Sequence, residues 1–420
     1  MQSSGSESMS MSRRVAIGLA GLFLLYVFAE FTAYFGLRFL ESRGKQPYAP
    51  TLTSDVSEAH RDILVRVING EAKYIGYSRE IGWTTLPNGD NDLYRANSQG
   101  VRGTRDYASA PPQDSLRIAA FGDSYVHGDD VPNSEAWSII MEEKEAGVEV
   151  MNFGVGGHGP DQGYLRYRNE GSAYSPHIVF IGIQTENINR VVNVFRPFYS
   201  PNTGNPLAKP YFRLVDDGVV LKENPMGGLA DYRKLLDDPA SMLELMGEND
   251  FHYSFRYKQG SLDWSPLVKL VKVFYFEFKS RFINPIYEDG QYRTSSEAYQ
   301  LLFAIIQEFH CDVLLKGSLP IVVLFPNRTD LAALSSSDNL QYKPLKDQLL
   351  AANYPVIDLA EAFRPLVGET RLDELILAHY TGQGNEVIAD FVLAEIDVAE
   401  LFSRDRRNEL MTEQGRLCRQ

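Results

Sequence analysis

The body of the chain alternates short apolar runs with stretches of helical character. The runs contain many β-branched residues and predict strands at residues 116–121, 148–153, 178–183, 319–325 and 355–359. The stretches between them predict helices that include residues 134–145, 161–169, 296–310 and 343–352. Because strands buried on both faces alternate with helices, the pattern predicts a three-layer α/β/α fold with a parallel, flavodoxin-like sheet.

The alternation breaks between about residues 196 and 295, which we interpret as an insertion within one α/β domain. Asp216-Asp217-Gly218 separates two alternating runs and predicts a β-hairpin in this insertion. Its aromatic pieces, FHYSFRY and VKVFYFEFKSRF, are expected to form a small additional core.

The N-terminal region contains an unbroken apolar run, residues 15–29, followed by Glu30 and a further aromatic stretch. A helix over residues 14–38 is long enough to cross a bilayer and predicts a signal anchor. Val27-Phe28-Ala29 leaves a cleaved signal peptide as the alternative. The basic residues on the two sides do not decide the orientation, and an extracytoplasmic body is the expectation for such an anchor.

These patterns divide the chain into five parts. They are a tail (1–13), the transmembrane anchor (14–38), a lead-in of short strands and loops (39–115), the α/β domain (116–405, with the insertion at about 196–295) and a C-terminal tail (406–420).

Composition excludes several classes of protein. The chain has 41 Lys and Arg residues against 55 Asp and Glu residues, and the net charge of −14 excludes a generally basic nucleic-acid binder. Hydrophobic residues at 44% and charged residues at 23% exclude a chain that is disordered throughout. The only cysteines, Cys311 and Cys418, exclude a disulfide framework or a cysteine-rich metal site, so packing is expected to hold the fold together.

Candidate chemistry follows the predicted strands. Ser124 lies in FGDSY directly after the first strand, where a tight turn can bring a hydroxyl to the rim of the sheet. The second strand leads into a glycine turn, residues 154–159, and the third into amide side chains at residues 184–190. His379 precedes the last helical run. Ends of parallel strands meet at one edge, so these groups are expected to converge.

The order of a GDS triplet, a glycine turn, an asparagine and a late histidine resembles the SGNH/GDSL hydrolase superfamily over about residues 116–400. The resemblance implies that Ser124 is the nucleophile and that His379 in HYTGQGN is its base. It also implies an oxyanion hole formed by the N–H groups of Ser124 and Gly157 with an asparagine side chain, here assigned to Asn187.

Two positions depart from the pattern of that family. An ungapped match to Gly-x-Asn-Asp places Glu186 at the asparagine, and a carboxylate repels an oxyanion, so the assignment moves by one residue to Asn187. Ile376 stands three residues before His379, where the family has an aspartate, so Asp373 is the candidate acid. A Ser–His dyad helped by a backbone carbonyl is the alternative.

Other interpretations of the same motifs are less favoured. Gly154, Gly156 and Gly159 fit a dinucleotide fingerprint, but Pro160 directly follows. His127 with Asp129 and Asp130 could suggest a metal site, yet no second histidine lies at helical spacing.

The resemblance therefore implies a serine-dependent acyl-ester hydrolase or O-acyltransferase that acts through a seryl acyl-enzyme and requires no cofactor or metal. Membrane tethering suggests an acylated glycan, lipid or small ester of the cell envelope as substrate. A membrane-tethered binding or assembly protein with a degenerate site is the alternative, motivated by Glu186 and Ile376.

Overall fold

The computed structural model describes residues 10–43, 55–216, 218–257, 260–283, 285–335 and 339–419. Its strands are β1 (Ile75–Ser78), β2 (Gly82–Thr85), β3 (Leu116–Phe121), β4 (Val148–Asn152), β5 (Ile178–Gln184), β6 (Tyr211–Val215), β7 (Gly218–Lys222), β8 (Tyr287–Glu288), β9 (Gln291–Tyr292), β10 (Leu319–Phe325) and β11 (Val356–Asp358).

The α-helices lie between and around these strands. They are α1 (Met11–Ser42), α2 (Glu58–Ile68), α3 (Ser124–His127), α4 (Trp137–Lys144), α5 (Pro160–Asn169), α6 (Asn187–Arg190), α7 (Arg196–Tyr199), α8 (Leu229–Asp237), α9 (Pro239–Gly247), α10 (Phe251–Arg256), α11 (Pro266–Phe278), α12 (Glu297–Leu315), α13 (Arg328–Ala333), α14 (Lys343–Ala351), α15 (Ala360–Phe363), α16 (Leu372–Leu375), α17 (Gly382–Val398) and α18 (Arg404–Gln414).

The central sheet has five parallel strands in the order β11-β10-β5-β3-β4. Counted along the chain this is the order 2-1-3-4-5 read from the other edge, which is the flavodoxin-like arrangement. The predicted fold class and all five predicted strands are therefore confirmed. Ligands of such sheets bind where the strand order reverses, which here is between the carboxyl ends of β3 and β5.

Two apolar layers cover the sheet. One packs α5, α12 and α14 against one face, and the other packs α4 and α17 against the opposite face. Strands β3, β4, β5 and β10 are buried along their whole length because helices lie on both sides. Arg117 of β3 and Glu149 of β4 are buried charges within this sheet, and they neutralise each other as an ion pair at 2.8 Å.

The lead-in segment contains a helix that the sequence pattern did not predict. Ser57 caps the first turn of α2 by accepting from the N–H of His60, and Leu64 and Val67 face the interior. After it, β1 and β2 form an antiparallel hairpin. The expectation of strands and loops alone was wrong here. Five large apolar residues lie within residues 63–68, four of them β-branched, and a short apolar run of this kind does not distinguish a helix from a strand.

The insertion contains the predicted hairpin, since β6 and β7 pair antiparallel around the turn at Asp216, while Asp217 lies outside the described residues. Most of the remainder is helical, from α8 to α11. Tyr253 and Tyr257 are buried as expected. The second aromatic piece differs from the expectation, because the Phe274 side chain is 64% exposed and several of its neighbours in α11 are similarly open.

Two helices in the described ranges are long and apolar enough to cross a membrane, α1 and α12. Helix α12 packs in the core of the α/β domain, whereas the side chains of α1 are almost all exposed. Glu30, the acid that follows the apolar run of α1, accepts hydrogen bonds from the Ser265 hydroxyl and, at 3.0 Å, from the N–H of Leu267. It thereby caps the start of α11.

The C-terminal residues form helix α18 and a short 3₁₀ turn at Leu417–Arg419, so the expectation of a simple tail was wrong. Cys311 of α12 and Cys418 form a disulfide with a Cα–Cα distance of 5.5 Å. Two cysteines cannot make a framework of bridges, but this pair ties the end of the chain to a core helix. Packing is therefore not alone in holding the fold together.

Candidate active site

The serine turn begins where β3 ends, next to the reversal of strand order. Asp123 caps α3 by accepting from the N–H of Tyr125 at 2.9 Å, and its other carboxylate oxygen is held by Asn187 and Arg190 at 2.9 and 3.0 Å. These bonds fix the first residue of the short helix, Ser124. Its side chain lies at the rim of the sheet, as the sequence predicts.

His379 lies beside Ser124. The Nε2 atom of the histidine is 2.8 Å from Oγ of the serine, a distance suitable for proton transfer. The ring packs edge-on against Tyr125, whose hydroxyl donates to the carbonyl of Ala378 at 2.9 Å. The predicted convergence of two segments separated by 255 positions is therefore present in the structure.

Asp130, not Asp373, completes the arrangement. Its Oδ2 atom is 2.6 Å from Nδ1 of His379, the ring nitrogen that does not face the serine. The prediction that Asp373 orients the histidine was wrong, because that carboxylate pairs with Arg328. Arg328 also donates to the carbonyl of Ile376, which fixes this loop without placing an acid on the ring.

Asp130 reaches the histidine because the chain turns back after only one turn of helix. Gly128 ends α3 with φ +77°, and Asp130 itself has φ +69°. Both angles lie in the left-handed region that glycine adopts freely and that aspartate tolerates better than most residues. The nucleophile and the acid therefore come from a single stretch, GDSYVHGDD. From sequence, Asp130 was considered only as a metal ligand, and the available signal for its role was Gly128 just before it.

Asn187 does not face the serine. It is 1% exposed, its Nδ2 donates to Asp123 and its Oδ1 accepts from the N–H of Gln184 at 2.9 Å. Its amide is thus committed to holding the serine turn, and the predicted role in the oxyanion hole was wrong. Asn187 sits where the family has its aspartate in the ungapped match, and shifting the match by one residue was the error.

Glu186 lines the cavity beside the serine, but its charge is compensated. It pairs with Arg190 and accepts from the hydroxyl of Tyr199 at 3.3 Å. Burial opposes ionisation of Glu186, yet the neighbouring charge of Arg190 brings the net pKa of this carboxyl below its usual value. Its repulsion of a developing oxyanion is correspondingly reduced.

Gly157 lies in the glycine turn with φ +81° and lines the same cavity as Ser124. In the described part of the chain, the N–H groups of Ser124 and Gly157 donate no hydrogen bond to another protein atom. The turn is held by the indole of Trp83, which donates to the carbonyl of Gly156 at 3.1 Å. Two of the three predicted donors therefore line one cavity with their N–H groups available.

His127 is buried behind the serine turn, and its neighbour Asp129 also lines the cavity at the serine. The Nδ1 atom of His127 is 2.5 Å from Asp129 and 2.9 Å from Arg102, and its Nε2 atom is 2.6 Å from the hydroxyl of Tyr74. Burial lowers the pKa of His127 to about 4, so the ring is neutral at pH 7. In the described ranges the three residues considered as metal ligands do not converge on one point, because His127 and Asp129 contact each other while Asp130 faces His379.

The cavity at the serine has a volume of about 610 Å³. Besides Ser124 and His379 it is lined by residues of the glycine turn, of the segment after β5 and of the start of the insertion, among them Gly157, Glu186, Arg190, Arg196 and Asn205. The insertion therefore forms one wall of the candidate active site.

No family model matches the sequence, and no curated protein matches it. Among solved structures, the chain is similar to a lipolytic G-D-S-L protein from Desulfitobacterium hafniense (12% identity, TM-score 0.29, covering 66% of this chain and 98% of that one). It is also similar to a member of the lipolytic protein G-D-S-L family from Veillonella parvula (14%, 0.30, 67% and 97%) and a lipase/acylhydrolase from Enterococcus faecalis (15%, 0.32, 67% and 95%). The solved structures to which this chain is similar thus include lipolytic and acylhydrolase proteins of the G-D-S-L family, the family that its motifs resemble.

Proposed function

We propose that the protein is a serine-dependent acyl-ester hydrolase or O-acyltransferase with Ser124, His379 and Asp130 as its catalytic residues. The observation that carries the proposal is the continuous chain of contacts from Ser124 Oγ to His379 Nε2 at 2.8 Å and from His379 Nδ1 to Asp130 Oδ2 at 2.6 Å. A serine hydroxyl needs an imidazole to take its proton, and the imidazole needs an acceptor on its other nitrogen to hold the right tautomer.

In the first step, Ser124 Oγ attacks the acyl carbonyl while its proton moves to His379 Nε2. The C–O bond to the alcohol then breaks, and the alcohol leaves with that proton, which forms an ester on Ser124. In the second step, an acceptor hydroxyl gives its proton to His379 and attacks the seryl ester. Collapse of the second intermediate returns the proton to Ser124.

The negative oxygen of each tetrahedral intermediate is met by the N–H groups of Ser124 and Gly157. Both residues line the cavity at the serine, and neither N–H is used by another protein atom of the described ranges. Loss of one such donor typically lowers kcat by about 10²–10³. Asn187 acts as a positioning residue, because it holds Asp123 at the base of the serine turn.

Water as acceptor gives an esterase, and a sugar hydroxyl gives an O-acyltransferase. We place the catalytic part outside the cytoplasm, anchored by α1, and two observations support this. Helix α1 is apolar and mostly exposed, and Cys311 and Cys418 form a disulfide of the kind that persists in oxidising compartments. An acylated glycan, lipid or small ester of the cell envelope is then the expected substrate.

Turnover of p-nitrophenyl acetate by the full chain in detergent micelles tests the proposal. Ser124→Ala is expected to abolish hydrolysis, and Ser134→Ala, which alters an exposed serine ten positions away, is expected to leave it unchanged. Equal rates in both variants would overturn the assignment of the nucleophile. Absence of turnover by the well-folded parent would favour the binding or assembly protein.

A further inference from the structure

One wall of the cavity at the serine holds a buried cation without an ion-pair partner. Arg196 is 9% exposed, and its Nε and Nη1 atoms are buried without a hydrogen-bond partner. Its guanidinium carbon lies 5.3 Å from the ring centroid of Tyr199. The Nε atom would lie 3.5 Å from a Cβ built on Gly157, which places the guanidinium beside the predicted oxyanion donor.

The charge of Arg190, the neighbouring arginine, is compensated by ion pairs. Arg190 pairs with both Asp123 and Glu186. The carboxylate of Asp129, the other acid that lines the cavity, lies 2.5 Å from Nδ1 of His127. Within the described ranges no carboxylate lies within 4.0 Å of the Arg196 guanidinium. Burial and the charge of Arg190 lower the pKa of Arg196 to about 10, and the group therefore stays protonated at pH 7.

The buried polar atoms of the cavity lining that have no hydrogen-bond partner are all donors. Besides Nε and Nη1 of Arg196, they are Nε of Arg190 and Nδ2 of Asn205, and all four are donors. Burying an unpaired charge is costly unless something neutralises it. A wall of unused donors around a cation matches a ligand group that is negatively charged and rich in acceptors.

We propose that Arg196 binds an anionic group, a carboxylate or a phosphate, on the ester substrate, so that the enzyme acts on esters of acidic molecules. This inference rests on the proposed function for the ester, but the anion site itself does not need turnover. Arginine is suited to this task because its planar fork matches two oxygens of a carboxylate or phosphate at once. The cavity volume of about 610 Å³ has room for a sugar-sized acidic unit beside the serine.

Binding of sodium glucuronate and of inorganic phosphate to the full-length Ser124→Ala protein in detergent tests the site by titration calorimetry. At least one anion is expected to bind, while uncharged glucose is not. Adding Arg196→Gln is expected to weaken that binding at least tenfold, and adding Arg233→Gln, which removes an exposed arginine of the same insertion, is expected to change it less than twofold. Which of the two anions binds identifies the acidic group.

Absence of binding by both anions, or equal weakening by Arg196→Gln and Arg233→Gln, would overturn the anion site. Arg196→Lys keeps the charge but loses the planar fork of the guanidinium, so it is expected to weaken anion binding less than Arg196→Gln does. This variant supplies the comparison if the glutamine variant does not fold. Because the measurement uses a protein without the nucleophile, the binding result can be interpreted even if the esterase proposal fails.

A second inference concerns α11 and rests on the proposal that α1 crosses the membrane. Glu30 caps the start of α11, and Gly36 of α1 would place a built Cβ 3.7 Å from Leu270 of α11. The two helices therefore touch over six residues of α1, which is about 9 Å of its length. This contact lies within the predicted anchor rather than beyond its end.

The large exposed side chains of α11 are apolar. They belong to four residues, Val271, Phe274, Tyr275 and Phe278, which are 53–64% exposed and share one face of the helix by their spacing. Four large apolar side chains on one short helix form a patch of the kind that meets a lipid or a partner. Because α11 packs against the apolar helix α1 and carries this patch, we infer that the apolar face of α11 contacts the acyl chains of the bilayer beside α1.

Trp264, two residues before α11, provides a probe. It is 69% exposed, whereas Trp83 and Trp137 are buried. In vesicles of phosphatidylcholine brominated on the acyl chains, the emission of the full chain is expected to fall relative to ordinary vesicles, and Trp264→Phe is expected to lose that fall. An equal fractional fall in both proteins would overturn the placement of α11. Flotation with the vesicles reports separately whether α1 anchors the chain.

Discussion

Replacing the acid that faces His379 tests whether Asp130, rather than the Asp373 expected from sequence, supports the histidine. Asp130→Asn removes a charge and keeps the shape of the side chain. Asparagine also tolerates the left-handed φ of +69° found at this position, so the turn after α3 is expected to persist. The change therefore acts on the imidazolium that forms when Ser124 gives up its proton.

The size of the effect follows from exposure. Two unit charges about 4 Å apart interact by about 4 kcal/mol at an effective dielectric of about 20 and by about 1 kcal/mol in water. The Asp130 side chain is 63% exposed, so solvent screening places the value between these limits. We expect a loss of about 2 kcal/mol, or about 30-fold in kcat/KM. Loss of a buried triad acid typically costs about 10⁴, and the difference reflects the open position of Asp130.

The assay is hydrolysis of p-nitrophenyl acetate by the full chain in detergent, with Asp373→Asn as the matched control. The control removes a carboxylate that pairs with Arg328, and kcat/KM is expected to stay within about twofold of the parent. Raising the salt to about 1 M, where the Debye length is about 3 Å, is expected to narrow the gap between parent and Asp130→Asn.

The opposite ranking would refute this reasoning. If Asp373→Asn lost about 30-fold while Asp130→Asn stayed near the parent, the acid of the working enzyme would be the one expected from sequence. The contact between Asp130 and His379 would then have no role in catalysis.

Three further predictions concern stability, each measured by chemical denaturation of the full chain. Replacing both Cys311 and Cys418 with serine removes a cross-link that closes a loop over a sequence separation of 107 and is expected to lower the free energy of unfolding by about 4 kcal/mol. An unchanged free energy of unfolding under matched oxidising conditions would argue against the bond. Burial lowers the pKa of His310 to about 4 from about 6.5 in the unfolded chain, so its contribution to stability is present above about pH 6.5 and is lost as pH falls towards 4. His310→Phe is therefore expected to reduce the loss of stability between about pH 7 and pH 5 by about 2 kcal/mol, and an unchanged loss would contradict the burial of a neutral ring. Gly154→Ala would place a Cβ 2.3 Å from the backbone nitrogen of His127 and is expected to cost about 3 kcal/mol, with wild-type stability as the contrary result.

Much of the fold could be predicted because its signals are local. The apolar run at Leu116–Phe121 is bounded by polar turns, and the same holds for the other strands of the central sheet. Helix α2 was missed because its apolar residues are mostly β-branched and form a short run that a strand would also show. The C-terminal helix α18 was missed because its apolar positions are few.

The site was predictable in part for a similar reason. Ser124 and His379 stand in motifs whose position after a strand or before a helix fixes where they lie. The acid was not predictable, because Asp130 reaches His379 only through a turn with two left-handed residues, and no spacing rule describes that turn. Asn187 was misassigned because its role depends on a hydrogen bond to Asp123, a contact between segments that follow two different strands.

Activation of Ser124 by His379 is the step on which the proposed mechanism depends. The most direct measurement is peptide mass mapping of the full chain after reaction with a fluorophosphonate, carried out in parallel on His379→Ala. We expect a single modified peptide that contains Ser124 in the parent and labelling slower by about a hundredfold or more in the variant. Modification at another residue, or labelling of Ser124 at the same rate without His379, would contradict this mechanism.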